Sequence, residues 1–287
     1  MKLEKYRHPF IYFGVTMAIT WAFWFTLAGI SHSSLWKSKG WVLFGSILGF
    51  LGFLAPMAVA FVLMIPDKDM REELKSACFS FKGIKPIWWV YTFLFPFAVI
   101  LAAQVISLLL GRSPEQFKLM ENFSFNAGIF PVWLVFIFVP IGEELGWRTY
   151  GTHCIRRSFN LFTTSVIFGI LWMLWHFPLS FINGYYHSNL AETGILYSIN
   201  YNVSLIPYLI LDGWCFYKTR RNMLIQFITH MTWNFSMEIF RTHPDSKIIH
   251  TVLLLGFCVF ILIKNKRFFF DKYFDISNSE VHPKVVI

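Results

Sequence analysis

The stretch FPVWLVFIFVPIGEELGWR, from Phe130 to Arg148, decides how this chain is read. From Phe130 to Ile141 no side chain is polar. Two adjacent carboxylates, Glu143 and Glu144, then follow inside the same run. A helix crosses a bilayer with about 20 mostly apolar residues. An ionisable group within such a helix costs about 2.5–3.5 kcal/mol on insertion scales and normally faces the interior of a bundle. The stretch therefore reads as a membrane span that carries charge for a reason.

Composition extends this reading to the whole chain. Of 287 residues, 56% are apolar and 14% are charged, against about 45–50% and 25% in soluble domains. There are 34 Phe and 12 Trp. A disordered chain is excluded, since it needs low hydrophobicity and high net charge. A soluble globule of this length could not hide so much apolar surface. The expected fold class is all-α, a polytopic membrane protein with a bundle of about eight transmembrane helices. Runs of suitable length lie at roughly 10–30, 41–65, 87–110, 128–148, 160–182, 195–215, 222–240 and 248–263. Asn200, Asn202 and Pro207 make the sixth the weakest.

The net charge of +9 need not mean nucleic acid, and none is expected as a partner. Threading eight spans from an inner N-terminus puts 19 of the 25 Lys and Arg on one side and 6 on the other. That split follows the positive-inside rule and places both termini in the cytoplasm. The first run is longer than a signal-peptide core and no clear cleavage site follows it, so it reads as a retained span. The expected organisation is one transmembrane domain over 1–264 and a solvated cytoplasmic tail over 265–287. Cys78, Cys154, Cys215 and Cys258 form no CxxC pair. They read as reduced packing residues, with Cys154 as a nucleophile the lesser alternative.

Polar groups within the spans are few. Adjacent helical residues point about 100° apart, so Glu143 and Glu144 face differently. Glu144 and Arg148 are four apart and can pair. Glu143 is left without a partner in its own helix, as a general base would be. The alternative is that both glutamates join a buried ion-pair network. In the seventh span Gln226, His230, Asn234 and Glu238 form one polar stripe, which lines either a cavity or a hydrogen-bonded helix contact. In the fifth, Phe168, Trp172 and His176 share a face, where His176 alone would pass for a core residue. Asp212 and Glu238 lie near span ends and are expected to reach water.

One carboxylate, two imidazoles and one carboxamide allow two chemistries. In the first, Glu143 and a histidine activate water while the other His and Asn234 hold an oxyanion. In the second, Glu143, His176 and His230 bind a divalent metal such as zinc, and its water attacks. The cofactor is left open between them. H-E-x-x-H, G-x-S-x-G, P-loop and G-x-G-x-x-G motifs are all absent. Helical rise places His230 about 14 Å from Arg220–Arg221 and His176 about 28 Å from Arg157. A shared site then expects the fifth helix to begin beyond the membrane, with Arg148–Asn160 at or above its surface.

These residues resemble the CAAX protease and bacteriocin-processing family, which includes type II CAAX prenyl endopeptidases. Its EExxxR motif is matched by Glu143, Glu144 and Arg148, and its HxxxN motif by His230 and Asn234. Its FxxxH motif is matched by Trp172 and His176, one aromatic replacing another. The resemblance covers about residues 128–240. It implies an intramembrane endopeptidase in which Glu143 and His176 activate water, His230 and Asn234 form the oxyanion site, and Glu144, Arg148 and Trp172 support them. It further implies membrane lipids and a peptide or protein substrate as partners, the substrate being lipidated in CAAX processing. Peptide maturation and bacteriocin self-immunity are its other settings. The expected location is a bacterial plasma membrane, with the cavity opening to the cytoplasm. The alternatives are a non-catalytic scaffold or immunity protein of the same fold and a proton-coupled transporter, the latter without a visible inverted repeat.

Overall fold

The computed structural model describes residues 3–79, 84–121, 123 and 128–272. Lys82, Lys284 and residues 273–287 of the expected tail lie outside the described residues. Eight long helices coincide with the eight expected runs. They are α1 (Pro9–Ser31), α2 (Lys39–Met64), α4 (Pro86–Leu109), α5 (Val132–Gly146), α7 (Leu161–His176), α9 (Ile195–Lys218), α10 (Met223–Glu238) and α11 (Pro244–Lys264). Shorter helices join them: α3 (Lys68–Phe79), α6 (Thr152–Arg156), α8 (Tyr186–Thr193) and α12 (Lys266–Phe270). Five of the long elements, α1, α2, α4, α7 with its following turn, and α11, are long and apolar enough to cross a membrane by themselves. α5 and α10, with 15 and 16 residues, are shorter than a full span, and in α9 polar residues such as Asn200, Asn202 and Asp212 dilute the apolar signal. The weak sixth run is a continuous helix that carries Pro207 within it.

The bundle is an all-α polytopic membrane protein, and its outer faces show it. Leu109 is 82% exposed and Val62 72% exposed, which in water would be costly and in lipid is not. The interior is aromatic. Trp175 lies against Trp24 and Trp147, with ring centroids 4.8 and 5.3 Å apart. The indoles of Trp175 and Trp24 both find partners on neighbouring helices. Trp175 Nε1 donates to Thr20 Oγ1 (2.8 Å), which donates to the carbonyl of Gly52 (3.0 Å), and Trp24 Nε1 donates to that of Gly49 (3.0 Å). These bonds tie α7 to α1 and α1 to α2, as burial of an indole requires.

The approach of α5 to α2 depends on small residues. A Cβ at Gly146 would stand 2.3 Å from the carbonyl carbon of Pro56 and 2.6 Å from the nitrogen of Met57. Both are backbone atoms of α2, so no side chain could move aside. Small residues are how helix backbones come this close in membranes. Immediately after Gly146 the chain widens into a π-helical turn, Trp147–Gly151, before α6. Of the segment Arg148–Asn160 expected at or above the membrane surface, Arg148–Arg156 is buried in protein and Arg157–Phe159 is exposed.

One boundary differs from expectation. The solvated tail does not begin at 265, because Lys266–Phe270 is helical and buries Phe269 completely. Arg156 donates to the carbonyl of Lys272 (2.5 Å) and Asn160 to that of Phe270 (3.4 Å). Aromatic residues at 268–270 anchor this segment to the start of α7. The four cysteines are free, and Cys154, Cys215 and Cys258 are buried.

Candidate active site

The carboxylate pair divides as its spacing requires. Glu144 accepts from Arg148 Nε through Oε2 (3.2 Å) and from His230 Nδ1 through Oε1 (2.8 Å). Glu143 instead turns toward α7, where Trp172 donates its indole N–H to Oε2 (3.1 Å). Arg148 of the first motif and His230 of the third thus meet at the Glu144 carboxylate, and Trp172 of the second motif is joined to the pair through Glu143. The indole makes a bond that the phenyl ring of the usual motif could not. The exchange of one aromatic for another is therefore a chemical change at the site.

Each imidazole has a fixed orientation. His176 Nδ1 lies 3.0 Å from the carbonyl of Trp172. A carbonyl can only accept, so Nδ1 carries hydrogen and the lone pair of the neutral ring is on Nε2. His230 Nδ1 likewise donates to Glu144. The Trp172 ring stands between the two histidines, 4.8 Å from His176 and 5.8 Å from His230, edge-on to both. Glu143, His176, His230 and Asn234 all line one cavity of about 170 Å³. Its remaining wall is largely apolar or aromatic, including Phe53, Val139, Leu179 and Tyr208.

Behind the cavity lies a buried ionic network. Arg148 pairs with Asp212 of α9 as well as with Glu144, and Gln226 donates to Asp212. Phe168 and Phe216 flank the guanidinium at 5.2 and 5.9 Å. Asp212 was expected to reach water at a span end. It is instead 1% exposed, because α10 and the π-helical turn close over it. Its helical stripe with Tyr201, Tyr208 and Leu205, all on the cavity wall, was the available signal. Of the polar stripe on α10, Gln226 serves this network, His230 joins it to the cavity, and Asn234 and Glu238 line the cavity. Glu238 is buried too, with Lys247 at 3.5 Å.

Sequence reasoning missed His187. It lies on α8, outside the spans, yet its ring stacks on His176 at 5.4 Å and 16°. Its Nε2 is 3.2 Å from Tyr201 Oη. Burial pushes this imidazole down to about 3, so it is neutral. Nothing in its local sequence marks it, since the contact is made by the turn that folds α8 back under α7.

Among the described residues, no group of three or more His, Cys, Asp or Glu side chains is arranged to hold a metal ion. The set Glu143, His176 and His230 does not form a ready-made metal site in this geometry.

The expected depth mismatch has a visible origin. The turn after α9 is recessed: Thr219, Asn222 and Met223 are buried, and Arg221 pairs with Glu73 of α3 (2.5 Å). His230 and His176 come to the same cavity, one on each side of the Trp172 ring. The cavity itself occupies the C-terminal halves of α7 and α10 and the N-terminal ends of α9 and α11. His32 at the end of α1 bonds the carbonyl of Phe181 at that same end of the bundle (2.9 Å). Residues 3–8 and 266–272 lie at the other end, where Tyr6 packs on His153 and Arg156 bonds Lys272. Residues 3–8 and 266–272 and the residues lining the cavity thus occupy opposite halves of the bundle.

Comparison with known proteins agrees with these motifs. Residues 125–236 match the family described as type II CAAX prenyl endopeptidase Rce1-like. The CAAX prenyl protease 2 of Methanococcus maripaludis is 31% identical over 273 residues, covering 94% of this chain and 99% of the relative. With that identity spanning nearly the full length of both proteins, the chain belongs to the Rce1-like type II CAAX prenyl endopeptidase family.

Proposed function

We propose that this protein is an intramembrane endopeptidase that cleaves membrane-associated peptides or protein tails. The observation that carries the reading is the meeting of Glu143, His176, His230 and Asn234, from three helices, on the wall of one cavity. Glu143 accepts one proton of a water whose other hydrogen is bonded to the Nε2 lone pair of His176, and the water oxygen attacks the peptide carbonyl. Asn234 donates to the oxyanion. His230 has committed Nδ1 to Glu144, so it donates from Nε2 when the ring carries both protons, with the Glu144 carboxylate balancing that charge. Collapse of the tetrahedral species breaks the C–N bond and returns a proton to the leaving amine. Trp172 holds Glu143, while Glu144 and Arg148 hold His230.

The apolar wall of the cavity suits an apolar or lipidated substrate, and the relative is named for prenyl protein processing. The 19 to 6 division of basic residues supports a plasma-membrane protein with cytoplasmic termini. The reaction chamber then lies in the outer half of the bundle. The test compares the membrane peptidome of cells carrying wild-type or Glu143→Gln protein. New peptide termini that depend on Glu143 are expected. Identical termini under conditions where the gene matters would favour a scaffold of the same fold.

A further inference from the structure

At the end of the bundle that holds residues 3–8 and 266–272 lies a second, larger cavity, of about 450 Å³. It sits over the recessed turn between α9 and α10. Arg148, Arg220 and Arg221 line it, with Glu73 as the one acidic side chain on its wall among the described residues. Arg148 is already held by Glu144 and Asp212, and Arg221 by Glu73. His153 also lines it, is 3% exposed, and has no hydrogen-bond partner at Nδ1 among the described residues. Burial, and then the neighbouring charges of Arg221, Arg148 and Arg156, push that imidazole well below its ordinary range.

Two more features point to a ligand. Arg220 and Arg221 are consecutive non-glycine residues with left-handed backbone, φ 57° and 62°. L residues rarely adopt this conformation, and strain of this kind collects where a side chain must be aimed. Met64, Leu74, Phe216 and Met223 complete the wall. An electropositive recess with an unanswered imidazole and an apolar flank matches a phosphate attached to a glycerol or acyl body. Basic pockets between membrane helices on the cytoplasmic side take lipid headgroups in this way.

We infer that this cavity binds a phosphate-bearing anion, held by Arg220, Arg221 and His153, with the headgroup of an anionic phospholipid as its source. Binding has a route to the other cavity. Arg148 lines this one, its partner Glu144 holds His230, and His230 lines the other. That coupling rests on the peptidase reading, whereas binding does not.

The test uses the full chain purified in a neutral detergent. Native mass spectrometry measures retention of phosphatidylglycerol against phosphatidylcholine, and a parallel arm titrates inorganic phosphate by thermal shift. Saturable, preferential binding of phosphatidylglycerol is expected. Binding of inorganic phosphate alone would assign the same site to free phosphate. The double variant Arg220→Gln/Arg221→Gln should weaken binding at least tenfold. Glu73→Gln, which removes the carboxylate competing for Arg221, should strengthen it, an outcome that misfolding cannot mimic. Absence of saturable binding in both arms, or affinity unchanged in both variants, overturns the proposal. Activity of the loaded protein is read separately, so loss of peptidase function leaves the binding result standing.

Discussion

Trp172 donates its indole N–H to Glu143 at 3.1 Å, while its own carbonyl receives the Nδ1 proton of His176 at 3.0 Å. One residue therefore sets the direction of both groups proposed to activate water. A hydrogen bond to a charged acceptor contributes about 1.5–3 kcal/mol. Trp172→Phe keeps an aromatic wall and removes this bond. We predict a fall in kcat/KM of about tenfold or more on a fluorogenic peptide, since about 1.4 kcal/mol corresponds to a factor of ten. Full activity in the Phe variant would show that Glu143 needs no such anchor.

The second prediction concerns metal. Trp172 and Glu144 anchor Glu143 Oε2 and His230 Nδ1, and among the described residues no group of three His, Cys, Asp or Glu side chains is arranged to hold a metal ion. After dialysis against a strong chelator, the purified protein should keep its activity and contain no stoichiometric zinc by elemental analysis. Loss of activity that returns with added zinc would move Glu143, His176 and His230 to the roles of ligands.

Breaking a buried ion pair by removing one partner costs about 3–5 kcal/mol, because the other charge stays buried. Asp212→Asn leaves Arg148 with Glu144 alone. It is expected to lower stability by about 3 kcal/mol, the mild end of that range, because Asn retains a hydrogen-bonding side chain. Denaturation in detergent reads the stability. Activity should fall in step, because Arg148 and His230 share the Glu144 carboxylate. A variant that loses neither would make the network incidental.

Much of this arrangement was legible in the sequence, and for physical reasons. Apolar runs long enough to span, and basic residues sorted to one side, gave eight helices whose positions match the structure. Four-residue spacing separated Glu143 from the Glu144–Arg148 pair, and the α10 stripe does face inward. What escaped was everything set by contact between helices remote in sequence. Asp212 looked peripheral because its distance from the end of α9 says nothing of what covers that end. His187 sits on a short polar helix with no periodic signal. The tail lost its first residues to the bundle because Phe268 and Phe269 bury, which a local surplus of lysine and arginine disguised.

Gly146 offers a sharper test of packing. A Cβ there meets the backbone of Pro56 at 2.3 Å, whereas Gly256 of α11 has nothing within 4 Å. Overpacking of this kind costs about 1–3 kcal/mol, so Gly146→Ala should destabilise the protein by that amount and displace the glutamate pair. Gly256→Ala should be neutral or gain up to about 1 kcal/mol from helix propensity. Equal thermal stability of the two variants would mean that α5 and α2 do not meet as described.

The separation of residues 3–8 and 266–272 from the residues lining the proposed reaction chamber has a practical consequence under the proposed topology. A fluorescent protein or affinity tag fused to the C-terminus should sit across the bilayer from the substrate entrance and leave turnover unaffected. In sealed vesicles, a protease that shaves off such a tag and a water-soluble substrate added outside should select opposite populations. Vesicles whose tags resist shaving are the ones expected to turn over the added peptide. Turnover confined to vesicles with accessible tags would contradict the arrangement. Sidedness assays on this enzyme therefore carry their own orientation marker.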